Sequence, residues 1–423
     1  MAPQSETAFM AETHDIIVLG GGIVGVSTAL HLQRRGRSVT LVDRREPGEE
    51  TSFGNAGVIE GGTYIPIAFP HDPVEILRYA TNRQSALHFH WSFLPRIAPW
   101  LWALYRNSTE DKLRANGRAI MALTADAIGE HKALLVEAKA EALLRMTGWL
   151  RVYRDEAELA ADSLEMRLAD EEGFAYDVLD ADAAREIEPH LAPVFARAVH
   201  WHSIASVSDP GAVTKAIAGL FAAEGGRIER GEARRLVRDG GRWRVETADG
   251  ALEAGEVVVA LGPWSMDLLR PLGCRLPFAV KRGYHCHYGA VGNAALSRPV
   301  VDSRYGYALA PMARGIRLTT GIELAGRDAP PTPVQVDRAE RRARELFPLA
   351  EPVDAEPWLG RRPCFPDSRP VIGPAPGHPG LWLNFGHAHL GFSLGPVSGR
   401  LVAQMMTGEA PLADPALFAA TRF

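Results

Sequence analysis

Three glycines near the start of the chain have the spacing of a phosphate cradle. The segment Asp15-Ile-Ile-Val-Leu-Gly-Gly-Gly-Ile-Val-Gly25 sets Gly20, Gly22 and Gly25 as Gly-x-Gly-x-x-Gly after an apolar run. Gly20 permits a tight turn, Gly22 removes the Cβ that would block a pyrophosphate, and Gly25 lets the following helix pack closely on the strand. That helix then aims its free N–H groups and the positive end of its dipole at the phosphates. Leu41-Val42-Asp43 completes the unit with an acid at a strand tip, where a carboxylate accepts hydrogen bonds from a ribose. The full order of strand, glycine turn, helix, strand and acid predicts dinucleotide binding.

Other chemistries find less support. Cys274, Cys286 and Cys364 are odd in number and lack CxxC spacing, which argues against a disulfide framework or structural zinc and makes a reducing cytoplasm the expected compartment. His285 and His287 alternate on one strand face, and His387 and His389 repeat the spacing. Neither pair shows carboxylate or cysteine partners at zinc spacing, so no metal is expected. A net charge of −5 gives no basic face for nucleic acid, and Arg341-Arg342-Ala343-Arg344 sits between Glu340 and Glu345 as a solvated helix face would.

The elements that must position such a site follow from pattern. The 423 residues, 46% hydrophobic and 23% charged, suit a globular protein of two domains. Residues 1–13 read as a disordered leader. Residues 108–145 read as long helices, 149–153 as a strand, and Asp209-Pro210-Gly211 as the start of a helix. Glu256-Val-Val-Val-Ala-Leu-Gly-Pro-Trp264 is a continuous apolar strand, as a parallel strand buried on both faces should be. Between 278 and 325 strand-like runs alternate with turns and no helix, which predicts an antiparallel sheet. A helix is expected from Pro396 to Thr407. The aromatic cluster from Trp91 to Tyr105 is too short to span a bilayer. It reads as packing under a loop or lining a pocket, with contact at a membrane surface as the alternative.

Ordered motifs across nearly the whole chain then resemble the amino-acid oxidase/dehydrogenase family of flavoproteins, and within it the bacterial D-amino acid dehydrogenases. They are the opening unit, Thr51-Ser-Phe-Gly-Asn-Ala-Gly-Val58, Ala260-Leu-Gly-Pro-Trp264, Lys281-Arg-Gly-Tyr284, Gly321-Ile-Glu-Leu-Ala-Gly326, Trp358-Leu-Gly-Arg-Arg-Pro363 with Pro366-Asp367, and Gly386-His-Ala-His-Leu-Gly391 with Gly395-Pro-Val-Ser-Gly399. The resemblance implies an α/β, two-domain (α+β) fold: a glutathione-reductase-type, Rossmann-like FAD-binding domain (14–62, 204–275 and 355–423) and an antiparallel-sheet substrate domain (63–203 and 276–354). It implies noncovalent FAD. The cofactor contacts would be Gly20, Gly22, Ile23, Val24, Gly25, Asp43, Arg44, Thr51, Ser52, Asn55, Ala56, Gly57, Val58, Ala260, Gly262, Trp264, Leu390, Gly391 and Phe392.

For the chemistry, the resemblance makes Arg362 the residue that holds the substrate carboxylate. The strand pattern offers Tyr307 and Tyr284 equally as further contacts or as core tyrosines, His387 as a contact or a satisfied strand-end residue, and His389 as a polar strand-end residue. Hydride would pass from the substrate Cα to flavin N5, and the imine would hydrolyse to a 2-oxo acid and ammonia. The leading expectation is a D-amino acid dehydrogenase whose electrons go to a quinone or O2. It would be cytoplasmic or peripheral at the inner membrane face, without a transmembrane segment. The alternatives are oxidation of a secondary amine or imino acid (sarcosine, glycine or hydroxyproline type) and a non-catalytic flavin scaffold or electron-transfer component.

Overall fold

The computed structural model describes residues 12–423. The leader expected at 1–13 lies outside the described residues up to position 11. Glu12 and Thr13, by contrast, open the first strand and pair with Leu252 and Glu253.

The first strand, Glu12–Leu19, runs parallel to Val39–Asp43 on one side and to Ala251–Val259 on the other, and Leu381–Phe385 lies parallel beyond it. Ile16 to Leu19 are fully buried, because helices cover one face of the sheet and further apolar side chains the other. Leu19 sits level with Val42 and Val259, and Val259 with Leu383. The strand ends Leu19, Asp43, Val259 and Phe385 therefore converge on one edge, where open α/β sheets bind ligands.

Two helices start at that edge. The glycine-turn helix, Ile23–Gln33, crosses the closing helix, Gly391–Thr407, at Gly395 and Gly399. A Cβ on Gly395 would lie 3.0 Å from Ile23, and one on Gly399 would lie 2.7 Å from the Thr28 nitrogen. The closing helix begins at Gly391 rather than at Pro396, so the proline falls inside it. Pro396 has no N–H to give back to Phe392, and the freed Phe392 carbonyl accepts instead from His131 Nε2 at 2.9 Å. His131 belongs to the long helix Glu110–Glu137, the helix expected within 108–145.

The second sheet centres on Ala279–Ala290, flanked by Gly315–Thr319 and Trp358–Cys364. It is antiparallel except for two parallel pairings: Val300–Asp302 with Trp149–Tyr153, and Ile322–Leu324 with Leu87–Phe89. Trp358–Cys364 falls in the segment expected to belong to the cofactor domain, yet it is a strand of this second sheet. A small third sheet, Val58–Glu60 with Ile204–Val207 and Leu144–Arg145, ties the two parts together.

Candidate active site

A single cavity of about 480 Å³ runs from the converging strand ends to the second sheet. At its first end every structural requirement of the glycine motif is visible in the backbone. Gly20 has φ of 117°, and a Cβ there would strike the Ala260 carbonyl at 2.4 Å. A Cβ on Gly25 would lie 1.8 Å from the Gly20 carbonyl, so this glycine lets helix and strand touch. Asp43 receives the Gly21 N–H at 2.6 Å and the Arg45 N–H at 2.9 Å, which fixes its carboxylate at the cavity wall, while burial raises its pKa. Arg44 pairs with Glu50 at 2.7 Å and lies 4.2 Å over the Trp264 ring.

The helix starts carry no acid that would repel an anion. The glycine-turn helix is capped by Gly22 and the closing helix by Leu390; neither has a side-chain cap or an acid in its first turn. Ser52 Oγ takes the Ile23 N–H at 3.0 Å. The segment between the two ends bends at Gly57, φ 72°, held by the Asn55 Oδ1 bond to the Gly57 nitrogen at 2.8 Å. The acid-free helix starts, the glycine cradle and the acid at the strand tip fit FAD, whose phosphates the start of the glycine-turn helix would hold. All the expected cofactor contacts line the cavity except Gly25 and Gly57, which act through backbone packing.

At the other end Arg362 stands out. Its Nη1 donates to the Gly321 carbonyl at 2.8 Å and its Nη2 to the Thr320 carbonyl at 3.2 Å. No carboxylate reaches it among the described residues, because Asp367, the acid nearest in sequence, is taken by Arg422 at 2.8 Å and Arg369 at 3.1 Å. Burial pushes the Arg362 guanidinium below its ordinary pKa, which is the cost of a cation without a counter-ion. Lys281 faces Arg362 across the strand pair, is also without an acidic partner among the described residues, and rests its ammonium 5.1 Å over Trp100. Arg361 turns the other way, 5.9 Å over Trp264.

Three expected side chains are used elsewhere. The Tyr307 hydroxyl bonds Asp302 and the Arg342 carbonyl, each at 3.2 Å, inside the core of the second sheet. The Tyr284 hydroxyl bonds Glu323 at 2.9 Å and takes the Thr332 N–H at 2.8 Å. Both tyrosines border the cavity, and their hydroxyls are engaged by the protein itself. The His387 ring bonds Ser398 Oγ at 3.1 Å within the closing helix, and burial lowers its pKa to about 3. It is His389 that sits between Arg362 and the Tyr64 hydroxyl, 3.4 Å from the latter, and burial with the nearby cations holds it neutral at about 3.

The expectation that His285 and His287 lack a carboxylate partner is also corrected. Asp354 bonds His287 Nδ1 at 2.7 Å. Arg317 bonds His287 Nε2 at 3.0 Å, so both ring nitrogens are already engaged.

Sequence reasoning missed Glu60. It lies two residues beyond Val58 on the same face of a short strand, and both line the cavity while Ile59 is buried in the core. The available signal was a charge ending an otherwise apolar strand just after a glycine bend.

Comparison with known proteins agrees with this geometry. The DAO family, described as FAD dependent oxidoreductase, matches residues 15–405. The chain is 32% identical to a D-amino-acid oxidase of Bradyrhizobium diazoefficiens, over 98% of this chain and 100% of that one. It is 33% identical to a D-amino acid dehydrogenase of Methylobacterium nodulans, over 94% and 96%. In three dimensions it resembles glycine oxidase from Geobacillus kaustophilus, with a TM-score of 0.75, 22% identity and coverage of 97% and 99%.

Proposed function

Because this chain belongs to the DAO family of FAD-dependent oxidoreductases, we propose that it oxidatively deaminates a D-amino acid. The observation that carries this reading is Arg362: a half-buried guanidinium at the cavity wall, fixed by two carbonyls, with no acid from the described chain to neutralise it. A substrate carboxylate supplies the missing charge through two parallel N–H···O bonds, which fix direction as well as position.

Bound in the cavity, FAD would supply the two-electron acceptor for a hydride from the substrate Cα, and the resulting imine would hydrolyse to a 2-oxo acid and ammonia. The chain's own part is mostly positioning, which alone can account for a large share of a barrier. Arg362 and Lys281 make the substrate end positive, so the carboxylate is drawn to one corner. His389 beside them stays neutral and can accept a hydrogen bond without adding a third cation. The N–H groups of Gly391 and Phe392 lie at the start of the closing helix and would present positive dipole ends to the bound cofactor. Cys364 is buried with its thiol pKa raised and its Sγ 3.3 Å from the Arg362 carbonyl, which fits a thiol that does not attach to the cofactor.

The test is anaerobic bleaching of the yellow protein by D-, L- and N-methyl amino acids, followed by air. D-amino acids should bleach it. Bleaching by sarcosine and by no D-amino acid would move the reading to secondary amines. Fast reoxidation in air identifies O2 as acceptor, and slow reoxidation a quinone. No described helix is long and apolar enough to cross a membrane. A peripheral contact with the inner membrane face would use the exposed Val74, Leu77, Trp91 and Trp102.

A further inference from the structure

The cavity holds one charge that the reaction above does not use. Glu60 is 7% exposed and lines the cavity. Its backbone N–H is held by Ser393 Oγ at 3.1 Å, which fixes the strand from which the side chain projects. No hydrogen bond or ion pair reaches its carboxyl group among the described residues. The charged and titratable groups that face it are Glu165, Arg151 and Tyr64. Arg151 is already shared by Glu165 at 2.7 Å and Asp162 at 3.0 Å, so it is not a free counter-ion. Burial and Glu165 push the Glu60 carboxyl up to about 8.

A buried carboxyl without a partner is costly and becomes favourable when a ligand brings the complementary group. The substrate end thus has cations at Arg362 and Lys281, and an acid at Glu60. We propose that Glu60 selects substrates with a second cationic group, a diamino or guanidino acid whose carboxylate sits on Arg362 and whose distal cation sits on Glu60. This rests on the reading of the site as an amino-acid oxidising centre. The strand position supports it: Val58 and Glu60 face the cavity together, so the segment that bends past the cofactor at Gly57 also delivers the acid.

Binding a cation requires the ionised carboxylate, so the preference should grow as pH rises from 6 to 9. The test uses holoenzyme and two probes that lack an α-amine, 5-aminopentanoate and pentanoate, read by perturbation of the flavin visible spectrum. At pH 9 the amino acid should bind about 10- to 100-fold tighter than pentanoate, the ratio a charge-assisted hydrogen bond supports. At pH 6 that advantage should largely vanish, and E60Q should abolish it at both pH values. In anaerobic reduction, the ratio of D-lysine to D-norleucine efficiency should fall by a similar factor in E60Q.

Equal binding of the two probes by the wild type at pH 9 overturns the inference. So does a lysine-to-norleucine ratio that E60Q leaves unchanged, or an equal loss of both substrates, which would make Glu60 the partner of the α-amine. If E60Q does not fold, the pH dependence of probe preference in the wild type still decides. Should no amino acid reduce the flavin, the proposed reaction falls, while the probe titrations report on Glu60 independently.

Discussion

The two ends of the cavity are built by different means. The dinucleotide end is made of backbone: glycines at close approaches, uncapped helix starts and strand ends brought level by register. The substrate end is made of side chains delivered by separate strands, with Arg362 and Lys281 on an antiparallel pair and Glu60 on the small third sheet. Shape, once set by backbone, tolerates little change. Charge, carried on side chains, can be exchanged one residue at a time.

The first way to break this contrast is at Gly25. Gly25→Val would push atoms into the Gly20 carbonyl, and the expected result is a colourless or insoluble protein, judged by the ratio of flavin to protein absorbance. A yellow, soluble variant would show that backbone closeness is not what holds the cofactor. Arg362→Ala tests the opposite end. Flavin content should persist while substrate-driven reduction falls by about 2–5 kcal/mol in transition-state terms, measured as the rate of anaerobic bleaching. Arg362→Lys should recover only part, since an ammonium cannot present a fork.

Smaller effects sharpen the boundary between the ends. Cys364→Ser should leave the chromophore releasable by acid precipitation, as in the wild type; retention of colour in the wild-type pellet would mean covalent attachment. A further effect concerns Glu60 and stability. A carboxyl whose pKa rises on folding, here from the ordinary 4.5 to about 8, stabilises the fold fully below the lower value. That contribution is lost as pH rises through 8. The melting temperature of the holoenzyme should therefore decline over this interval more steeply in wild type than in Glu60→Gln. Parallel curves would place the ionisation elsewhere.

The same contrast explains what the sequence made legible. The close approaches at Gly20 and Gly25 and the strand-tip place of Asp43 were legible because local geometry dictates those types, and the cavity place of Arg362 because its motif is distinctive. Tyr307 and Tyr284 stayed open between core and cavity because alternation does not say where a hydroxyl points; Asp302 and Glu323 hold those hydroxyls. His387 and His389 lie two apart, yet the closing helix draws one inward through Ser398 and leaves the other beside Arg362. Trp358–Cys364 fell on the wrong side of the expected boundary because its partner, Ala279–Ala290, is remote in sequence.

That strand has a consequence for how the protein can vary. Its consecutive arginines face opposite ways, Arg361 toward Trp264 and Arg362 toward Gly321, so one ruler sets both directions. Inserting or deleting a single residue there would swap the two arginines' directions. Length in this stretch should stay fixed even where the amino acids around it drift.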